Sequence, residues 1–208
     1  MGYMTTQPRP YLTETEYLER ERVSTIKHEY YAGEIFAMSG ASEAHNLIAS
    51  NVNASIYAQI RGRGCRIYPS DMRIKIVKTG LYTYPDMTIV CGTPDFTDMT
   101  KRDTLLNPTI IIEILSPSTE RYDRGVKFQN YRTIETLKEY ILIAQNKHHI
   151  ERYTRYEGNT WILTEAVGID STITLESIQC SLSLADAYEL VDLPPESPSE
   201  DRTMTDTK

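Results

Sequence analysis

The apolar positions of this chain follow two rhythms that alternate along it. Between residues 42 and 64, Ala44, Leu47, Ile48, Val52, Ile56 and Ile60 recur every three or four positions. That spacing predicts a helix with one buried stripe. Ser42 caps its start, and Gly62 and Gly64 stop it. Residues 13–22 open on Thr13-Glu14-Thr15-Glu16, a capping box for a shorter helix. Residues 28–38 read as two short strands around Ala32-Gly33, where a glycine suits a tight hairpin turn. Strands follow at 65–69, 71–77 and 84–90. In the second of these, Met72, Ile74 and Ile76 face one way and Asp71, Arg73 and Lys75 the other. Residues 109–115 form a near-continuous apolar run, the mark of a strand covered on both faces. A helix over 120–133 and a strand at 139–145 come next. A hairpin of 148–157 with 160–167 turns at Gly158-Asn159, and a strand at 172–176 and a helix at 184–191 close the chain.

The middle of this order is a helix, a run of strands, a helix and a strand. It predicts an α/β protein with a mixed sheet covered by helices: an αβββαβ core, an added N-terminal hairpin and a C-terminal β-hairpin. One domain is expected over residues 13–191. Residues 1–12 lack periodicity and are expected to be mobile. Residues 192–208, with five acids against two bases and three prolines, are expected to be disordered.

Composition changes this picture little. A chain of 208 residues that is 40% hydrophobic and 25% charged is an ordinary globular protein. No stretch approaches the roughly 18 apolar residues of a membrane span, and no secretory signal is visible, so a cytoplasmic protein is expected. The cysteines Cys65, Cys91 and Cys180 are odd in number and widely spaced. They read as buried or free thiols in a reducing compartment. The net charge of -7 argues against tight, sequence-independent binding to nucleic acid. Yet Arg61, Arg63, Arg66, Arg73, Lys75 and Lys78 stand against the single acid Asp71 within residues 61–78, a basic strip in an acidic protein.

Two acids stand out against their surroundings. Glu113 shares a strand face with Ile111 and Leu115, where an ionised carboxylate is costly unless paired or bound to a metal. Asp86 opens the strand at 84–90. Alone it reads as a turn aspartate after Pro85. Two acids on adjacent strands aimed at one point make a hard-oxygen site suited to Mg²⁺ or Mn²⁺. Lys147-His148-His149 has no partner in the sequence and reads as surface. There is no GxSxG elbow, P-loop or dinucleotide GxGxxG.

The runs HEYYAGEIFAMSGAS, YPSDMRIKI, YPDMTIVCG and EILSPSTERYDRGVKFQNY, followed by EYILIAQ, resemble the PD-(D/E)XK nucleases, and more narrowly the Uma-type restriction endonucleases. The resemblance covers roughly residues 14–190. It implies a metal-dependent DNA endonuclease with Asp86 and Glu113 as metal ligands and a backbone carbonyl near Ile114 as a third. The motif's lysine two residues after Glu113 is replaced by Leu115. In this family a lysine of the following helix looks like its substitute, here Lys127, which would hold or deprotonate the attacking water. Glu34, Glu43, His45 and Asp71 are possible accessory residues, and Asp123 reads as a first-turn helix acid. The six bases of the strip are candidate phosphate contacts. DNA is the implied partner, and a homodimer would match duplex symmetry. Leu115 and the acidic charge leave two other readings: a nucleic-acid-binding module without catalysis, or a protein-interaction module whose carboxylates merely pair with bases.

Overall fold

The structure, a computed structural model, describes residues 11–194. The expected mobile start and acidic tail lie almost wholly outside these residues. Helix α1 (Glu14–Glu21) begins on the capping box, with Thr13 and Glu16 each capping the other's main chain. Strands β1 (His28–Tyr31) and β2 (Glu34–Ala37) form the N-terminal hairpin. Its turn places Ala32 and Gly33 both at positive φ, and the Tyr11 ring lies where a Cβ on Gly33 would sit. Helix α2 (Glu43–Ile60) starts on the Ser42 cap as its sequence predicts.

The strand order departs from a simple meander. β3 (Cys65–Pro69), β6 (Met87–Cys91) and β8 (Ile110–Leu115) run antiparallel. A helical crossover then carries the chain to β9 (Glu139–Ala144), parallel to β8. β10 (His149–Arg155) and β11 (Trp161–Val167) extend the same six-stranded sheet, whose order is β11-β10-β9-β8-β6-β3. Between β3 and β6 the chain leaves this sheet. β4 (Arg73–Ile76), β5 (Leu81–Thr83) and the short β7 (Thr104–Leu105) join the N-terminal hairpin in a second sheet ordered β2-β1-β5-β4-β7. β12 (Thr172–Leu175) and β13 (Cys180–Ser183) pair with each other, and α5 (Leu184–Ala187) follows. One mixed sheet was expected; the second arises because β5, itself paired with β4, joins β1 from a distant part of the chain, which local patterning does not encode.

The six-stranded sheet is covered on both faces. Ile110, Ile112 and Ile114 pack with Ile48, Val52, Ile56 and Ile60 of α2. Each such side chain contributes about 1.5–3 kcal/mol by leaving water. Ile111 and Leu115 pack on the opposite face with Tyr131, Tyr140 and Leu142. Glu113 projects with them, towards the crossover helix. Of the strand expected at 71–77, Arg73, Ile74 and Ile76 are buried, Met72 and Lys75 are half-buried, and Asp71 and Val77 are exposed. Arg73 is buried, with hydrogen bonds to Thr104 and to the Tyr84 hydroxyl.

Two of the three cysteines are corrected as well. Cys65 and Cys91 are register partners on β3 and β6 and form a disulfide; Cys180 is free and buried. The inference of a reducing compartment loses its basis with them. Thiol titration of unfolded, unreduced protein should return one reactive thiol, rising to three after reduction. Three without reductant would contradict the bond.

Candidate active site

The antiparallel pairing of β6 with β8 places Met87 opposite Ile112. Asp86 and Glu113 therefore sit one step beyond that pair, side by side. Each is fixed by the other strand's main chain. The Ile114 amide donates to Asp86 Oδ2 at 2.7 Å, and the Asp86 amide approaches Glu113 Oε2 at 3.4 Å. The first turn of α2 adds His45, whose Nε2 lies 3.0 Å from Asp86 Oδ1.

The crossover helix supplies the rest. It is not regular: α3 (Glu120–Tyr122) leads into a π-helical turn, Asp123–Lys127, before α4 (Phe128–Tyr131). Such wide turns are frequent at functional sites. Here the turn buries both Asp123 and Lys127. Lys127 Nζ stands 2.9 Å from Glu113 Oε1, 3.3 Å from Asp123 Oδ1 and 3.7 Å from Glu29 Oε1. The Tyr131 hydroxyl donates to Glu113 Oε1 at 2.7 Å. Glu29 comes from β1 of the second sheet and accepts from the hydroxyls of Thr83 and Tyr122.

Three carboxylates thus surround one ammonium, and Asp86 stands beside them. Burial, reinforced by Asp123 and Asp86, outweighs Lys127 and pushes the Glu113 carboxyl up to about 8. Burial likewise raises Asp123. Burial alone would lower Lys127, but Glu113, Asp123 and Glu29 together hold it protonated, well above the usual lysine range. The site has more negative charge than its own cation can neutralise. That surplus, on hard oxygen donors facing a cleft, fits a divalent ion such as Mg²⁺ or Mn²⁺.

The cleft has a volume of ≈ 1350 Å³, and Asp86, Glu113, Lys127 and His45 all line it. Of the accessory candidates, His45 reaches the site and Glu43 is exposed on α2. Glu34 is exposed on β2. Asp71 borders the cleft and pairs with Lys27 at 2.9 Å. None of the six bases of the strip lines the cleft. Arg61 is exposed beyond α2. Arg63 binds the Ile178 carbonyl and Arg66 the Gly92 carbonyl. Lys75 pairs with Glu14 and Lys78 with Glu135, while Arg73 is buried. Leu115 belongs to the core, and the Lys127 ammonium stands beside Glu113.

Glu29, Tyr131 and the inward Asp123 were missed by the sequence reading. Glu29 precedes two tyrosines in the strand 28–31, and Asp123 stands four residues before Lys127; these were the available signals. His149 also has partners that the sequence did not reveal. With Glu151 and Glu165 on the β10–β11 hairpin it forms a second group whose ligand atoms could reach one ion. None of the three lines the cleft, and Glu151 is already held by Arg124.

A mixed sheet that brings an acid from one strand, an acid from its neighbour and a lysine from the crossover helix to one point defines a restriction-endonuclease-like α/β protein. The chain matches the Uma2 family, described as "Putative restriction endonuclease", over residues 14–187, and it belongs to that family. Two relatives come from Synechocystis sp. One, "Uncharacterized protein sll1609", is 39% identical over 162 residues, covering 78% of this chain and 91% of its own. The other, "Uncharacterized protein slr1290", is 34% identical over 181 residues, covering 87% and 93%. The fold is similar to a crystal structure from Anabaena variabilis described as "a putative nuclease belonging to DUF820". The TM-score is 0.70 at 17% identity, over 85% of this chain and 97% of that one. Family membership supports a nuclease activity. Among the described residues no helix is long and apolar enough to cross a membrane.

Proposed function

We propose that the chain is a metal-dependent DNA endonuclease that hydrolyses phosphodiester bonds. The observation that carries this reading is the meeting of Asp86, Glu113 and Lys127 at the cleft. Asp86, Glu113 and the Ile114 carbonyl would hold Mg²⁺ or Mn²⁺. When bound, the ion supplies an acidified water and neutralises charge on the scissile phosphate.

The protein side chains have distinct parts in this. The carboxylates around Lys127 favour its protonated form, so this reading gives it the part of a positive donor that holds the attacking water or a phosphate oxygen. Tyr131 fixes the Glu113 carboxylate, and His45 fixes Asp86. A lysine beside Glu113 removes the main argument for a catalytically silent module, which rested on Leu115. A homodimer is part of this reading and is checked by sedimentation.

The test is nicking of supercoiled plasmid with Mg²⁺ or Mn²⁺. Nicking should stop in EDTA and fall at least about a hundredfold in Asp86→Asn, a loss of about 2.7 kcal/mol of transition-state stabilisation. Full activity in that variant would overturn the assignment.

The raised Glu113 carboxyl makes a second prediction. Its proton must leave before the carboxylate can bind a cation, so binding releases it. Mn²⁺ affinity measured by calorimetry should strengthen up to about tenfold per pH unit below about 8 and level off above that. Equal affinity at pH 6 and pH 8 would contradict it.

A further inference from the structure

We infer that Tyr31 and Phe36 form a stacking wall for unpaired bases, so that the substrate is single-stranded beside the scissile phosphate. This rests on the nuclease reading above and names its substrate class.

Three observations carry it. First, Phe36 is the register partner of Glu29, and Tyr31 lies two residues beyond Glu29 on the same strand. Direct partners and alternate residues share a sheet face. Both rings therefore stand on the face that sends Glu29 to Lys127. Second, both rings line the cleft yet remain open to solvent, 43% exposed for Tyr31 and 46% for Phe36. A single exposed ring is unremarkable. Two on one face, beside a buried cluster of charge, form a platform. Third, the cleft is poor in positive charge. Among the described residues lining it, only Lys27 and Lys127 carry a full positive charge, against six acids: Glu21, Glu29, Asp71, Asp86, Glu113 and Asp123. Lys27 is paired with Asp71, and Lys127 is buried.

A duplex is held chiefly through its phosphates, by many lysines and arginines. This cleft offers few. A single strand presents base faces as well, and aromatic rings bind those with little regard to sequence. The wall favours the single strand, and the charge balance counts most against the duplex, whose charge density is higher. Flaps, gaps and unpaired junctions provide it within larger DNA.

The test uses the full chain with Ca²⁺ and fluorescein-labelled oligonucleotides, a thymidine single strand and a duplex of equal length, followed by anisotropy. The single strand should bind at least about tenfold tighter than the duplex. Phe36→Ala and Tyr31→Ala should each weaken single-strand binding about tenfold, and Phe36→Trp should restore it. With Mn²⁺, a flap substrate should be cut faster than the blunt duplex. Equal or tighter duplex binding would overturn the inference, as would alanine variants that bind the single strand like wild type. A dimer that dissociates in Phe36→Ala while DNA affinity is unchanged would also overturn it, assigning the wall to a second copy. Binding is read without cleavage, so inactivity on every substrate would refute the nuclease reading and leave the stacking result to be judged on its own.

Discussion

Glu113→Gln should lose at least about a thousandfold in cleavage rate, equivalent to about 4 kcal/mol of transition-state stabilisation, while folding as well as wild type or better. Glutamine keeps the shape of the side chain and can still accept from Tyr131, which sits 2.7 Å from Oε1. It lacks the negative charge that holds a cation. The same change removes a buried group whose ionisation opposes folding. The Glu113 carboxyl titrates at about 8 in the folded chain against 4.5 when free. Its protonated form is favoured by the fold, so its contribution is complete below about 4.5 and is lost as pH rises through about 8. Wild-type stability should fall across that window by at most about 1.4 kcal/mol per pH unit. The Glu113→Gln curve should be flatter there. Thermal melts at about pH 5, 6.5 and 8 measure this without added metal. A variant with wild-type nicking would remove Glu113 from the chemistry, and parallel stability curves would show that its ionisation is not coupled to folding.

The second large effect is on stability. Lys127→Met should destabilise the chain by about 3–5 kcal/mol near neutral pH, as removal of one partner from a buried charge cluster does. Methionine fills the volume, so packing loss is small. What remains is Glu29, Glu113 and Asp123, all buried and without the cation that stood among them. The deficit should shrink as pH falls, as Glu113 and Asp123, both raised by burial, take up protons. It should also shrink with Ca²⁺ or Mn²⁺, and the metal-induced rise in melting temperature should exceed that of wild type. Cleavage should fall as well, because the positive donor is gone. A Lys127→Met chain as stable as wild type near neutral pH would mean that the ammonium is not what balances the cluster.

Local patterning made the elements readable, and it made the two central acids readable too. The Ile111, Glu113, Leu115 face follows from strand alternation alone, and it is the face the structure shows. The buried stripe of α2 and the capping box of α1 follow from local spacing in the same way. Partnerships across the chain were not readable. Glu29 reaches Lys127 only because β1 pairs with β5 in a sheet assembled from distant segments. Arg73 looked like a phosphate contact because its partners Tyr84 and Thr104 arrive through β-strand pairing and a long loop. Cys65 and Cys91 looked unrelated until their strands came into register. The irregular turn of the crossover helix was hidden for another reason: its sequence is compatible with an ordinary helix.

That turn has a cost and a purpose that can be separated. Wide helical turns are uncommon, and sequences that hold one give up local regularity. Shortening residues 123–127 by one position would restore an even helix, with Lys127 three residues after Asp123 instead of four. Natural proteins commonly sit below their attainable stability where activity demands it. In this chain the wide turn coincides with the place where one helix sends an acid and a lysine into the same crowded interior.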